Sequence, residues 1–212
     1  DCELSRGLGD VYKRQGKDPK YEYSYDYQNW YPSAKYETIN ARKNVGLFDL
    51  SSFSKFELKG ETVHNELQKI CTANIKCIPG KATYTQMLND DGGIETDLTV
   101  VCVDKNHFKV VSSAATREHD KSHIQKYLTN RVHLEDVTEN ICCFGLFGPK
   151  SRDMMAKLSQ DDFTNEGFKF GTAKFVKIGE IEVWAQRLSY VGELGFELYV
   201  KNDDAKKLYS LI

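Results

Sequence analysis

Two acidic residues lie inside strand-like stretches, where a carboxylate is uncommon. Asp97 follows a glycine turn within residues 94–103, and Glu197 follows a second glycine turn within residues 195–200. Acidic residues are depleted in strands, and a buried carboxylate is costly unless it is paired or hydrogen-bonded. Both acids are therefore candidates for ligand binding or proton transfer. A solvated strand face remains an open alternative for each of them.

Two tyrosines, Tyr84 and Tyr190, stand near these acids in the sequence. Alternation along the strand places Asp97 on the same mixed face as Thr99. Aromatic rings offer stacking surfaces, and carboxylates accept paired N–H donors. This combination of side chains suits a flat, hydrogen-bonding heterocycle.

Two other patterns are weaker. His119 and His123 are spaced i, i+4 on a predicted helix, but no third metal ligand is placed by spacing, so we expect surface histidines and no metal site. Residues 145–151 superficially resemble a phosphate-binding loop, yet the spacing to Lys150 is wrong for one. We interpret this stretch as a strand-to-helix turn.

The elements that must position these residues are strands in hairpins, interrupted irregularly by helices. This pattern predicts an α+β fold with antiparallel sheets and flanking helices rather than a regular βαβ array. Helices are predicted at residues 34–44, 61–71, 116–130, 151–158 and 203–212; strands are predicted at 54–59, 84–88, 94–103, 108–112, 132–137, 141–147, 173–178, 181–188 and 190–200.

Composition narrows the classes of function. The 212 residues include 29 basic and 31 acidic side chains, and we see no basic stripe, so no nucleic-acid partner is expected. No apolar run is long enough to predict a membrane-spanning helix. The six cysteines form no CxxC pair, which favours a reducing compartment, either cytoplasmic or the mitochondrial matrix.

Both ends of the chain predict a piece of a longer protein. Residues 1–15 show no helix or strand period and resemble translated sequencing-adapter read-through, so we expect a non-native tail there. The helix predicted at residues 203–212 reaches the last residue without a C-cap signal.

Several ordered motifs resemble one family. They are NVGLFDLSSFSKF at residues 44–56, YTQMLN at 84–89, GGIETDLTV at 92–100, GPKSR at 148–152 and SYVGELGFEL at 189–198. Together they resemble the tetrahydrofolate-binding aminomethyltransferase (glycine cleavage T-protein) superfamily. The sequence SYVGELG is most similar to the folate-binding region of sarcosine and dimethylglycine dehydrogenases.

The resemblance implies a role for individual residues. Asp97 would be the catalytic residue that contacts the folate near its reacting nitrogens, and Glu197 would pair with the pterin ring. Tyr84 and Tyr190 would line the pterin pocket. Ser112 stands where many T-proteins have an asparagine and is included as a folate contact.

The resemblance also implies a function. Tetrahydrofolate would capture the one-carbon unit of an N-methyl amine, sarcosine or dimethylglycine, to give 5,10-methylenetetrahydrofolate. FAD would belong to a missing N-terminal domain. The alternatives are a stand-alone aminomethyltransferase of the glycine cleavage system, which would take its one-carbon unit from a lipoyl carrier protein, a related folate-dependent demethylase, and a non-catalytic folate-binding module.

The family's architecture implies two interleaved units. Residues 16–55 with 142–212 would form the folate-binding domain, and residues 56–141 a ferredoxin-like insert, with a C-terminal barrel domain missing. The folate cleft would lie between the two units. Asp97 and Glu197 would then stand on opposite walls of that cleft.

Overall fold

A computed structural model describes residues 22–189 and 192–212. Most of these residues lie in strands or helices. In chain order the elements are α1 (Tyr31–Lys43), β1 (Gly46–Asp49), β2 (Ser54–Lys59), α2 (Val63–Ile70), β3 (Ala82–Leu88), β4 (Ile94–Asp104), β5 (His107–Ser112), α3 (Arg117–Tyr127), β6 (His133–Asp136), β7 (Ile141–Phe147), α4 (Ser151–Leu158), β8 (Thr172–Ile178), β9 (Ile181–Arg187), β10 (Gly195–Lys201) and α5 (Asn202–Leu211).

The strands form two antiparallel sheets of five strands each. One, which we call the split sheet, has the order β1-β7-β10-β9-β8 and draws strands from both ends of the described chain. The other, the insert sheet, has the order β3-β4-β5-β2-β6. The predicted α+β class with antiparallel sheets and flanking helices is therefore confirmed.

The insert sheet contains a ferredoxin-like arrangement. Its elements β2-α2-β4-β5-α3-β6 place the strands in the order β6-β2-β5-β4, with β3 added at the edge. Leu98 and Val100 of β4 pack on the same buried face as Leu67 of α2 and Ile124 of α3. The helices α2 and α3 thus cover one face of this sheet and leave the other face for the split sheet.

The split sheet is covered on one face by α4 and α5. Phe196 and Leu198 of β10 pack in a buried cluster with Met155 of α4 and Leu208 of α5. Since side chains alternate along a strand, Glu197 and Tyr199 point to the opposite face.

The uncovered faces of the two sheets meet. A buried cluster joins Ala82 and Val101 of the insert sheet to Cys143, Trp184 and Tyr199 of the split sheet. Direct backbone hydrogen bonds tie the sheets together near this cluster, from the Ala82 N–H to the Gly171 carbonyl (3.0 Å) and from the Ala173 N–H to the Gly80 carbonyl (2.6 Å). The interface therefore has an apolar centre.

The observed elements differ from the predicted ones mainly at their ends. Helix α1 begins at Tyr31, three residues before the predicted start, because Pro32 stands in its first turn, where a missing N–H is tolerated. The last predicted strand begins at Gly195 rather than at residue 190. Residues 190–191 and the predicted tail at residues 1–15 lie outside the described residues.

Candidate functional site

Asp97 is positioned by the hairpin of β3 and β4. Asn89 stabilises the turn, because its side-chain oxygen accepts hydrogen bonds from the N–H groups of Asp91 (3.1 Å) and Gly93 (2.8 Å). Gly92 adopts φ = 81°, a conformation that favours glycine. The turn sets the register that pairs Gln86 with Asp97.

Tyr84 and Asp97 are in direct contact across this hairpin. Tyr84 pairs with Thr99 in the ladder, so its side chain lies diagonally across from that of Asp97, on the same face of the sheet. The Tyr84 hydroxyl donates a hydrogen bond of 2.5 Å to Asp97 Oδ2. Both side chains are exposed, so the hydrogen-bonded pair is open to a ligand.

A surface cavity of about 400 Å³ adjoins Asp97. Six of its lining residues were not predicted as site residues, although four of them lie within the motifs at residues 84–89 and 92–100. The lining residues are Gln86, Ile94, Glu95, Thr96, Asp97, Ser113 and Thr116.

A polar network supports the rim of this cavity. Buried Asp120 accepts hydrogen bonds from the hydroxyls of Thr96 (3.2 Å) and Thr116 (2.9 Å). His119 contacts Asp120 Oδ1 through Nδ1 (3.2 Å) and Glu95 Oε2 through Nε2 (2.9 Å). Asp120 and Glu95 together raise the pKa of His119. His119 is half-exposed, as predicted for a surface histidine, and it links α3 to the strand that carries Asp97. The same prediction is wrong for His123, which is partly buried and whose Nε2 is buried.

Glu197 lies in a different environment. Its side chain is buried in β10, and the Tyr199 hydroxyl donates a hydrogen bond of 2.7 Å to Glu197 Oε2. Burial raises the pKa of the carboxyl group, against the hydrogen bond from Tyr199, which lowers it. Solvation on an exposed strand face, the alternative left open by the sequence pattern, is therefore wrong for Glu197.

The structure brings some of the predicted site residues to one interface and not others. Asp97 lies on the same face of β4 as Val101, and Glu197 lies on the same face of β10 as Tyr199. Val101 and Tyr199 belong to the cluster between the sheets, so both acids lie on the faces that meet there. Glu197 is not among the residues that line the cavity at Asp97. Ser112 points to the opposite, helix-covered face, with Phe108 and Val110, and does not converge with Asp97. Tyr190 lies outside the described residues.

Other kinds of site are not found in the described part of the chain. Across residues 22–189 and 192–212 there is no cluster of three or more His, Cys, Asp or Glu side chains that could hold a metal ion. Over the same ranges, no helix has the length and apolar character needed to cross a membrane.

The two-sheet fold is that of known aminomethyltransferases. The crystal structure of the glycine cleavage system aminomethyltransferase T from Bartonella henselae superposes with a TM-score of 0.75 at 20% sequence identity, over 91% of this chain and 52% of that one. Heterotetrameric sarcosine oxidase from Corynebacterium sp. U-96 superposes with a TM-score of 0.63 at 16% identity, over 85% of this chain and 90% of that one. These likenesses define the class of fold.

The chain belongs to the GCVT N-terminal domain family, whose profile matches residues 10–212. It is 35% identical, over 96% of its length, to 4-methylaminobutanoate oxidase (formaldehyde-forming) of Paenarthrobacter nicotinovorans, of which it covers 26%. It is 32% identical, over 94% of its length, to mitochondrial dimethylglycine dehydrogenase of Rattus norvegicus, of which it covers 24%. An aminomethyltransferase of Anoxybacillus flavithermus is 32% identical over 88% of this chain and 53% of that protein. The chain thus spans about a quarter of the oxidase and the dehydrogenase and about half of the aminomethyltransferase.

Proposed function

We propose that this chain is the folate-binding portion of an enzyme that moves a one-carbon unit from an N-methyl amine to tetrahydrofolate. The observation that carries the proposal is the hydrogen bond of 2.5 Å between Tyr84 and Asp97 beside an open cavity. It is supported by the relatives, which include amine oxidases or dehydrogenases and aminomethyltransferases.

The residues present fit a pterin. Asp97 keeps one carboxylate oxygen for a ligand, since Tyr84 donates to the other. Glu197 is held in a buried position on the facing sheet, where a carboxylate can accept N–H donors from a planar ring. Tyr84 adds an exposed aromatic surface for stacking. Tyr190 remains a proposed pterin contact. Ser112 is not one, because the Ser112 side chain lies on the helix-covered face of β5.

Each residue has a defined task in the proposed reaction. Tetrahydrofolate supplies the nucleophilic nitrogens, and 5,10-methylenetetrahydrofolate is the product. Asp97 orients the reacting end of the ligand and accepts a proton or stabilises positive charge there. Tyr84 fixes the rotamer of Asp97 through its hydrogen bond. Glu197 anchors the pterin ring away from the reacting nitrogens. Because tetrahydrofolate is held in place, its reaction with the one-carbon unit becomes effectively unimolecular.

The N-methyl amine in this proposal is sarcosine or dimethylglycine. FAD, carried by a separate flavin domain of the intact protein, would accept the two electrons that the methyl group loses as it becomes the methylene unit. An aminomethyltransferase of the glycine cleavage type is the second candidate, favoured by the relative from Anoxybacillus flavithermus. In that case a lipoyl carrier protein would deliver the one-carbon unit. Assays of the intact gene product with dimethylglycine and an electron acceptor, or with an aminomethylated lipoyl carrier, separate the two. Tetrahydrofolate binding without turnover in both assays would instead indicate a regulatory module.

The substitution Asp97→Asn in the intact gene product tests the assignment. It keeps the size of the side chain and the hydrogen bond from Tyr84 but removes the charge and the basicity. We expect the rate of folate-dependent methylene transfer to fall about 100-fold, the usual contribution of a positioned acid or base. Asp91→Asn, in the exposed turn of the same hairpin, is the matched control and should leave the rate unchanged. An unchanged rate in Asp97→Asn would exclude Asp97 as the catalytic residue.

A further inference from the structure

A second cavity lies between the two sheets, away from Asp97. Its volume is about 340 Å³, at the lower end of the range for small-molecule sites. It has no lining residue in common with the cavity at Asp97. Its inner wall includes Lys55, Trp184, Gln186 and Tyr199, all of them buried. It is therefore separate from the cavity at Asp97, and Tyr199, which donates a hydrogen bond to Glu197, forms part of its wall.

Two side chains at this cavity have polar atoms without a partner. Gln186 is 1% exposed, and neither its Nε2 nor its Oε1 makes a hydrogen bond; Trp184 is 7% exposed, and its Nε1 makes none. Buried polar groups in folded proteins are almost always hydrogen-bonded, and leaving one unsatisfied is destabilising. Three unsatisfied atoms on two neighbouring side chains of β9 indicate that something else binds them.

Lys55 adds a buried amino group to the same cavity, and burial lowers its pKa. It is 3% exposed, and its Nζ donates to the carbonyls of Ser51 (2.8 Å) and Phe53 (2.7 Å), which leaves one of its three protons for another acceptor. Within residues 22–189 and 192–212, Lys55 makes no ion pair. The carboxylate of Glu57 also lines the cavity but is engaged by Lys59 (2.8 Å) and by Lys109. Two more carboxylates line the cavity, Asp204, which pairs with Lys207 (3.3 Å), and Glu182, which is exposed, and neither forms an ion pair with Lys55. A buried charge normally has a counter-charge, which a ligand carboxylate would supply.

Part of the remaining wall is apolar. Val111, Ile141 and Phe175 line the cavity beside the polar side chains, and Phe175 contacts the Trp184 ring. A purely inorganic anion would leave these surfaces without contacts, whereas a planar or short apolar body would cover them.

We propose that this intersheet cavity binds a small organic monocarboxylate with a compact apolar body. The carboxylate would accept hydrogen bonds from Lys55 Nζ, Gln186 Nε2 and Trp184 Nε1, and the apolar body would pack against Val111 and Ile141. This site shares no lining residue with the cavity at Asp97, although Gln186 and Tyr199 both neighbour Glu197.

Benzoate is a suitable probe, because Trp184 reports on its own contact. The chain contains two tryptophans, Trp30 and Trp184, so Trp30→Phe leaves Trp184 as the one indole signal in a ¹⁵N-labelled protein. We expect benzoate to shift the Nε1–H resonance of Trp184 saturably. Benzamide, which is neutral and of similar shape, should bind at least about tenfold more weakly, since it lacks the charge-assisted hydrogen bonds. No benzoate shift, or equal binding of benzamide, would overturn the proposal.

Two substitutions locate the site. Gln186→Leu replaces the unsatisfied amide with an apolar group of similar size, so the protein should keep its fold while benzoate binding falls about tenfold or more. Lys55→Met should weaken binding at least as much. Lys177→Met, on exposed β8 and paired with Glu180, removes a charge elsewhere and should leave binding unchanged. If Lys55→Met fails to fold, Gln186→Leu still decides the matter, because unaltered benzoate binding in that variant would place the ligand elsewhere.

Discussion

At the scale of single residues, the two acids differ in what holds them. Asp97 is exposed and has one oxygen fixed by Tyr84 at 2.5 Å, whereas Glu197 is buried and has one oxygen fixed by Tyr199 at 2.7 Å. A tyrosine therefore orients each carboxylate, but only the carboxyl group of Glu197 loses solvation on folding. Asp97 is suited to meet a ligand from solvent, and Glu197 to accept hydrogen bonds in a dry interface.

The burial of Glu197 predicts a pH dependence of stability. Its pKa in the folded protein is raised above the ordinary value of 4.5, so the folded state binds the proton more readily than the unfolded state does. The free energy of unfolding should therefore rise as the pH falls through the folded-state pKa and level off below about 4.5. Glu197→Gln keeps an acceptor for Tyr199 and cannot ionise. It should be more stable than the parent at pH 7 and show a flatter profile.

Urea unfolding of both proteins between about pH 4 and pH 8 measures this difference. Glu193→Gln is the control, since that side chain is paired at the surface with Arg42 and should leave the shape of the profile intact. Parallel profiles for the parent and Glu197→Gln would show that the carboxyl group is not desolvated in the folded protein.

At the scale of elements, the turn from β7 into α4 depends on one glycine. Gly148 adopts φ = 137°, and a Cβ atom there would lie 2.4 Å from the Asn44 carbonyl oxygen and 2.6 Å from that of Ala41. Both contacts are with backbone, which cannot rotate away. The turn also binds the segment that follows α1, because the Lys150 N–H donates a hydrogen bond of 2.9 Å to the Asn44 carbonyl.

We therefore expect Gly148→Ala to lower the free energy of unfolding by about 3 kcal/mol, from backbone strain together with the clash. Gly92→Ala is the matched control: it also has a positive φ, of 81°, but nothing lies within 4 Å of its Cβ position. That change should cost about 1 kcal/mol, from the left-handed conformation alone. Chemical denaturation of the two variants gives both values, and equal losses would mean that the contact with α1 is not rigid.

Most elements could be predicted from the sequence, because alternation and helical period are local properties. The strand around Asp97, the helix over residues 151–158 and the turn at Gly148 belong to this group. The contact of Asp97 with Tyr84 could not, because it depends on the register that the hairpin adopts. The orientation of Ser112 and the burial of Glu197 depend on which faces the helices cover and where the sheets meet. Those are properties of the tertiary structure, which the pattern within a single strand does not predict.

At the scale of the whole molecule, the candidate site and the second cavity both depend on how the two sheets pack. Val101 is fully buried at the centre of the interface, in contact with the cluster that includes Ala82, Ala173, Trp184 and Tyr199. Asp97 lies four residues before Val101 on the same face of β4. On the facing sheet, Gln186 of β9 pairs with Glu197 of β10. Loosening this apolar centre would change the separation of the polar groups around it.

Val101→Ala tests whether the two sheets unfold as one unit. Removing two methyl groups from a fully buried position should lower the free energy of unfolding by about 2 kcal/mol, with part of the loss due to the cavity left behind. Because Val101 joins the sheets, we expect Trp184 fluorescence, which reports on the split sheet, and amide hydrogen exchange in β3–β5, which reports on the insert sheet, to shift by the same amount. Ile94→Ala, at an exposed position on the same strand, should change the stability by less than about 0.5 kcal/mol. Separate transitions for the two probes would mean that each sheet is stabilised by its own helices, and that the interface between them positions the site without contributing to cooperative folding.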